Sequence, residues 1–316
     1  MSQPKPQRVH AYTMPLMDST RWDGFESRAD DILVCTSYKA GTTWTQMICA
    51  LLIFQKADFG RPLTTISPWL DILTAPIDEV LATYAAQPHR RFIKTHTPLD
   101  GLPYFENATY LYCGRDPRDV FMSMLNHLEN TNVEVVKEIQ RRRGLEVTEP
   151  QEMATDANEI FETWLTRAQF EWEKDGYPYW SHFNHAQTFW DFRHLPNIHF
   201  LHYTDLVANL EGQMRRIAGI LEIDVDERIW PGLVEAATFE QMKKRAEELA
   251  PDVDSGIWHD AKRFFNKGSS GQWVDALSSK SLARYEEVRR ERVSASLGEW
   301  LERGSMACGD PRALPD

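Results

Sequence analysis

Short apolar runs alternate along this chain with longer stretches whose apolar residues recur at helical spacing. The run D-I-L-V-C-T (31–36) is rich in strand formers. Behind it, residues 42–55 set Trp44, Met47, Ile48, Leu51 and Leu52 on one stripe, which predicts strand, turn and helix with Gly41 in the turn. The same grammar recurs at 91–96, a strand closed by Pro98, and at 109–115, a strand followed by a helix with Asp116 as N-cap and Pro117 as first residue. A further strand is expected over 197–203, then a helix from about Asp205 to Leu221. Apolar strands alternating with amphipathic helices predict an α/β fold: a single domain with a central parallel β-sheet flanked by helices.

The remaining segments carry weaker patterns. Residues 1–30 are polar and Pro-containing and read as an N-terminal arm. Between Asn130 and Pro150 the chain turns polar, and its run Arg141–Arg143 reads as the solvated face of a helix or long loop. Residues 156–194 are expected to be helical and aromatic-rich, 264–273 a long loop, and 281–301 the last helix. Without a linker or internal repeat, the division is an arm (1–30), one domain (31–305) and a tail (306–316).

Charge changes this picture more than composition does. A net charge of −12 disfavours nucleic acid and anionic membrane as partners, because the long-range field repels them. A site for a small anion must then be built from a few placed cations and backbone amides. The longest apolar run, 47–54, is too short to insert across a bilayer, and the start M-S-Q-P-K-P has no apolar signal core. Cys35, Cys49 and Cys113 sit in apolar runs and read as reduced core residues; with Cys308 they form no ligand cluster. The expectation is a cytoplasmic protein.

The strand–turn–helix at 36–44 is where chemistry first shows. Such a turn leaves backbone N–H groups converging at the positive end of a helix dipole. Gly41 permits close approach, Thr42 and Thr43 offer hydroxyls, and Lys39 a mobile charge. The lysine precedes the glycine, so this P-loop-like segment is not a Walker A loop. Taken alone it is equally a nucleotide kinase's phosphate site, a non-catalytic nucleotide site or a plain turn.

The segment S-Y-K-A-G-T-T-W (37–44) resembles the donor loop of the cytosolic, PAPS-dependent sulfotransferase family, Y-P-K-S-G-T-T-W, with Ala40 in place of its serine. Four further blocks follow in the family's order. Y-L-Y-C-G-R-D-P-R-D-V-F-M-S (110–123) resembles its 3′-phosphate segment, and K-T-H-T-P-L (94–99) its K-T-H-L-P-L. T-F-E-Q-M-K-K (238–244) is similar to its adenine segment, and F-F-N-K-G-S-S-G-Q-W (264–273) to its R-K-G loop.

The resemblance implies transfer of a sulfuryl group from 3′-phosphoadenosine 5′-phosphosulfate (PAPS, leaving the product PAP) to a hydroxyl or amine of a small-molecule acceptor. It implies His96 as general base, Lys39 at the leaving phosphate, Ser123 directing Lys39, and Lys94 assisting. The donor would be held by Lys39, Ala40, Gly41, Thr42, Thr43, Trp44, Arg115 and Ser123, and around the base by Tyr203, Thr238, Phe239 and Met242. Phe265, Asn266, Lys267 and Gly268 would close the far end. No metal is expected, since a sulfuryl group carries less charge than a phosphoryl group. Asn266 stands where the family has arginine, so either Lys262 or Arg263 compensates or the 3′-phosphate is held less tightly. The family's animal dimer motif is not visible, so an oligomer would form by another route. Acceptor-side candidates are Tyr12, Trp69, Leu70 and the 131–150 segment. His182, His185 and His194 show no metal-ligand logic and read as packing or surface residues.

Overall fold

The computed structural model describes residues 4–147, 154–251 and 253–316. Two short strands, β1 (Thr13–Met14) and β2 (Met17–Asp18), form a hairpin ahead of the main sheet. The sheet comprises β3 (Ile32–Thr36), β4 (Phe92–Thr95), β5 (Thr109–Gly114) and β6 (Ile198–His202), in the order β4-β3-β5-β6. All three pairings are parallel, as the alternating pattern predicts.

Side chains alternate across a strand, so each strand feeds two cores. Leu33, Cys35, Ile93, Tyr110, Tyr112 and Phe200 enter one, together with Phe121, Phe189 and Trp300. Ile32, Val34, Phe92, Leu111, Cys113 and Leu201 enter the other, against Met47, Ile48, Leu51 and Leu52 of the Thr42–Phe54 helix. A sheet covered on both faces explains the continuous apolar runs in its strands. The chain leaves β3 for one side of the sheet and returns to its other side at β5. The crevice at the carboxyl ends of these two strands is therefore a topological switch point, where α/β sheets bind ligands.

Several expectations change in detail. The N-terminal stretch is stitched into the core, with Tyr12, Met17, Trp22 and Phe25 all buried. Four scattered apolar residues were enough for this, and they show no period. Of 156–194, only Ala157–Thr166 and His182–Trp190 are helices; between them the backbone turns, with Gly176 in the left-handed region at φ 94°. The expected 205–221 helix is broken at Asn209, whose carboxamide oxygen accepts from Gly212 N–H at 3.0 Å and starts a second helix. The last helix divides likewise at Ser294, which caps Ala295–Arg303. The polar 130–150 segment contains a helix, Val133–Arg142; its residues 148–150 lie outside the described residues.

Candidate active site

The loop after β3 is shaped by two left-handed residues, Lys39 at φ 61° and Gly41 at φ 105°. A Cβ at Gly41 would lie 3.2 Å from the Tyr203 ring, so that position is closed both by conformation and by space. Gly41 is also the N-cap of the Thr42–Phe54 helix and supplies no capping side chain, which leaves first-turn amides available to an anion. The hydroxyls of Thr36 and Thr42 meet at 2.5 Å across the turn.

Arg115 follows β5 and is buried against this loop. Its Nη1 donates to the Lys39 carbonyl at 2.8 Å, and its guanidinium lies 4.0 Å above the Tyr203 ring. It pairs with neither neighbouring carboxylate. Asp116 takes Arg118 at 2.8 Å, while Asp119 accepts the backbone N–H of Gly271 (2.8 Å) and Gln272 (2.9 Å), tying the 264–273 loop down. The Nε of Arg115 is buried with no partner among the described residues. A buried cation with an unmet donor is a site for an anion.

Lys39 is half-buried. Its Nζ lies 3.5 Å from His127 Nδ1 and 4.4 Å above the Phe264 ring. Burial, then the Arg115 charge, pushes its pKa down to about 7. Burial, followed by Lys39 and His96, holds His127 well below its ordinary value, so the imidazole is neutral and its Nδ1 can accept from the ammonium.

His96 sits just past β4. Its Nδ1 lies 3.0 Å from the Thr36 carbonyl, an acceptor only, so Nδ1 carries the proton and Nε2 holds the lone pair. Burial, then Lys94, pushes its pKa down to about 3. The ring stands edge-on to Trp69 at 5.1 Å and stacks toward Trp180 at 6.0 Å. Lys94 Nζ rests 4.8 Å above the Trp69 ring, on the same side of the strand as His96.

At the far end, Trp44 Nε1 donates to the Ala237 carbonyl at 2.8 Å, which fixes the indole edge-on to Tyr203. Gly268 adopts φ 66° and a Cβ there would come within 2.4 Å of the Phe239 ring. Lys243 Nζ donates to the Asn266 carbonyl at 2.8 Å. Of the two proposed substitutes for the missing arginine, Arg263 faces Glu129 at 3.4 Å and Lys262 lies in a separate depression with Lys243 and Lys244. Neither lines the main cavity.

One cavity of about 820 Å³ collects these groups. His96, Lys39, Lys94, Ser123, Gly41, Thr42, Thr43, Trp44, Arg115, Tyr203, Phe239, Met242, Phe265, Asn266, Lys267 and Gly268 all line it. Ala40 does not, being fully buried behind the loop. Thr238 does not either: its hydroxyl donates to the Glu235 carbonyl at 2.8 Å and caps the Phe239–Lys244 helix. On the acceptor side Trp69 and much of 131–143 line the cavity, whereas Tyr12 and Leu70 are fully buried core residues outside its wall. The lining contains Lys39, Lys94, Arg115, Lys137, Arg142, Arg143 and Lys267 but no Asp or Glu among the described residues. In an acidic chain this is a local inversion of charge.

Sequence reading missed four contributors. His127 carries no motif signal beyond its place one turn after Ser123. His182 bridges the two phosphate-side loops: Ser37 Oγ bonds its Nδ1, and its Nε2–H donates to the Arg115 carbonyl at 3.1 Å. Asp71, fully buried, accepts from Trp22, from Trp69 (2.9 Å) and from Thr95 (2.9 Å), so it orients the indole beside His96. The hairpin residues Met14 to Met17 add apolar wall.

Comparison with known proteins agrees with this geometry. The sulfotransferase domain family matches residues 29–297, and the chain belongs to the sulfotransferase family. It is 36% identical over 315 residues to a glycolipid sulfotransferase of Mycobacterium tuberculosis, covering 95% of this chain and 96% of that one. It is 26% identical to human sulfotransferase 1C2, covering 86% of each chain. Among solved structures, mouse sulfotransferase SULT7A1 complexed with PAP matches with a TM-score of 0.66 at 21% identity, over 90% of this chain and 92% of that one. Retinol dehydratase complexed with retinol and PAP matches with a TM-score of 0.66 at 22% identity, over 88% and 87%. The fold is thus the sulfotransferase fold. Among the described residues no helix is long and apolar enough to cross a membrane.

Proposed function

We propose that this sulfotransferase takes its sulfuryl group from PAPS and passes it to a hydroxyl, or an amine, of a small apolar molecule. The observation that carries the reading is the meeting of Arg115, Lys39 and His96 in one cavity that no Asp or Glu lines among the described residues. The residues suit a nucleotide carrying several anionic groups: an unmet buried donor on Arg115, uncapped amides after Gly41, and the aromatic side chains of Trp44 and Phe239 on the cavity wall. When bound, PAPS supplies an activated sulfuryl group on a phosphate leaving group.

The chain's own residues then do the following. Nε2 of His96, held outward by the Thr36 carbonyl on Nδ1, accepts the acceptor's hydroxyl proton. Its low basicity is set first by burial and then by Lys94. A bound anion offsets the Lys94 contribution and so acts in the direction of greater basicity. Lys39 would stabilise negative charge on the leaving oxygen, and Ser123 and Lys94, which line the same cavity, would assist it. Trp69 and Trp180 pack against the imidazole and keep water from it.

The names of relatives, glycolipid sulfotransferase above all, favour a lipid-like acceptor, as does the apolar wall of hairpin and Trp side chains. Transfer of radiolabel from PAPS to an alcohol or phenol panel tests the proposal. It should need no added metal and should fall by at least ~100-fold in His96→Ala. Turnover with ATP and magnesium but none with PAPS would favour a kinase instead.

A further inference from the structure

The Arg141–Arg143 run, taken from the sequence as a solvated face, sits on a helix that borders the cavity. Val133, Val136, Lys137, Gln140 and Arg143 line it from one helical face, and Ile139 and Arg142, the latter paired to Glu138, line it beside them. The opposite face carries Glu134 and Glu138, which are paired to Lys137 (3.2 Å) and Arg142 (2.8 Å). Along the cavity face the chemistry grades from apolar at the Val133 end to cationic at the Arg143 end. The Val133 end is near the reacting groups, since His127, six residues earlier, touches Lys39. Ten residues of helix carry Arg143 about 15 Å further along. Among the described residues no carboxylate lines the cavity to answer it, and the exposed Arg143 guanidinium has no hydrogen-bond or ion-pair partner there.

We infer that the acceptor is an anionic amphiphile: a hydroxyl at His96, an apolar body along Val133 and Val136, and a carboxylate or similar anion held by Arg143. The inference takes from the sulfuryl-transfer reading only the identity of the hydroxyl end. An unpaired guanidinium at the rim of an apolar cavity recognises an oxyanion through charge-assisted bonds, and a neutral ester of the same chain offers it nothing comparable. Arg141 gives an internal control, because it lies on the same turn and does not line the cavity.

The test uses the full chain, with and without saturating PAP, and measures binding of a long-chain ω-hydroxy fatty acid and of its methyl ester by calorimetry. The acid is expected to bind about tenfold more tightly than the ester, and that ratio should collapse toward one in Arg143→Gln and survive in Arg141→Gln. Equal binding of acid and ester, no binding of the acid, or a ratio that Arg141→Gln and Arg143→Gln change alike would each overturn the inference. Failure of PAP to bind would instead strike the donor assignment, because the acid–ester ratio is also read without it.

Discussion

Lys39 is the group whose behaviour the structure constrains most sharply. It is half-buried beside Arg115, His96 and His127 with no carboxylate in contact among the described residues, and its pKa is pushed down to about 7. The free enzyme at pH 8 then carries only about one Lys39 in ten protonated, and at pH 9 about one in a hundred. A polyanionic nucleotide favours the ammonium, so binding PAP at pH 8 should draw nearly one proton from solution. The phosphates of PAP ionise near pH 6 and contribute little there. Calorimetric titration of PAP in two buffers of different ionisation enthalpy counts that proton directly. Lys39→Arg keeps a permanent charge and should show almost no uptake. In turnover, kcat/KM for the donor should fall about tenfold per unit above pH 7 in the wild type and stay flatter in Lys39→Arg. Proton uptake that persists in Lys39→Arg, or none in the wild type at pH 8, would refute the reasoning. The sign carries over to stability. Between pH 7 and 10.5 the unfolded chain binds this proton and the native one does not, so the contribution of Lys39 to stability rises with pH across that window. Lys39→Met should therefore melt higher at pH 7, by ~1–4 kcal/mol, while losing transfer.

Three further outcomes follow from contacts around this lysine and its neighbours. His127→Phe removes the acceptor for Lys39 Nζ and should lower kcat ~10-fold or more with little change in donor KM, and His127→Asn, which keeps an acceptor, should recover part of it; steady-state kinetics separates the two. Gly268→Ala forces a Cβ onto the Phe239 ring at a left-handed backbone position, and PAP binding should weaken about tenfold by calorimetry. In Asp71→Asn the amide can accept on only one side, so either Trp69 or Trp22 loses its partner; a cost of ~1–3 kcal/mol in unfolding and a changed Trp emission are expected.

Much of the fold could be read from the sequence because a buried parallel sheet writes itself as continuous apolar runs, and the loops after β3 and β5 are set by local residues such as Gly41, Asp116 and Pro117. Lys39, Arg115 and His96, named on the resemblance to the family's motifs, each sit at a strand end, and the structure brings them into one cavity. The acceptor half of the cavity was not readable in this way. Its wall comes from Met14 to Met17, Trp69, Trp180 and the Val133–Arg142 helix, four segments distant in sequence that share no period. Tyr12 and Leu70 were placed on that wall by residue type, yet each is buried behind a neighbour that does line it, Met14 and Trp69 respectively. Side-chain direction at such positions depends on tertiary packing, which a local pattern does not encode.

The charge inversion in the cavity ties these halves together. A chain of net charge −12 repels an anionic nucleotide at long range, so attraction must act within about a Debye length of the site. Lys39, Lys94 and Arg115 are gathered there on one cavity wall, braced by the two cores on either face of β3. An incoming anion is favoured by these cations. Burial first, then Lys94 and Lys39, lowers the proton affinity of His96, so a bound anion offsets only the cationic part. If His96 is the base, an anionic donor shifts it in the direction of greater basicity while burial acts against it, so the two contributions oppose each other at this residue.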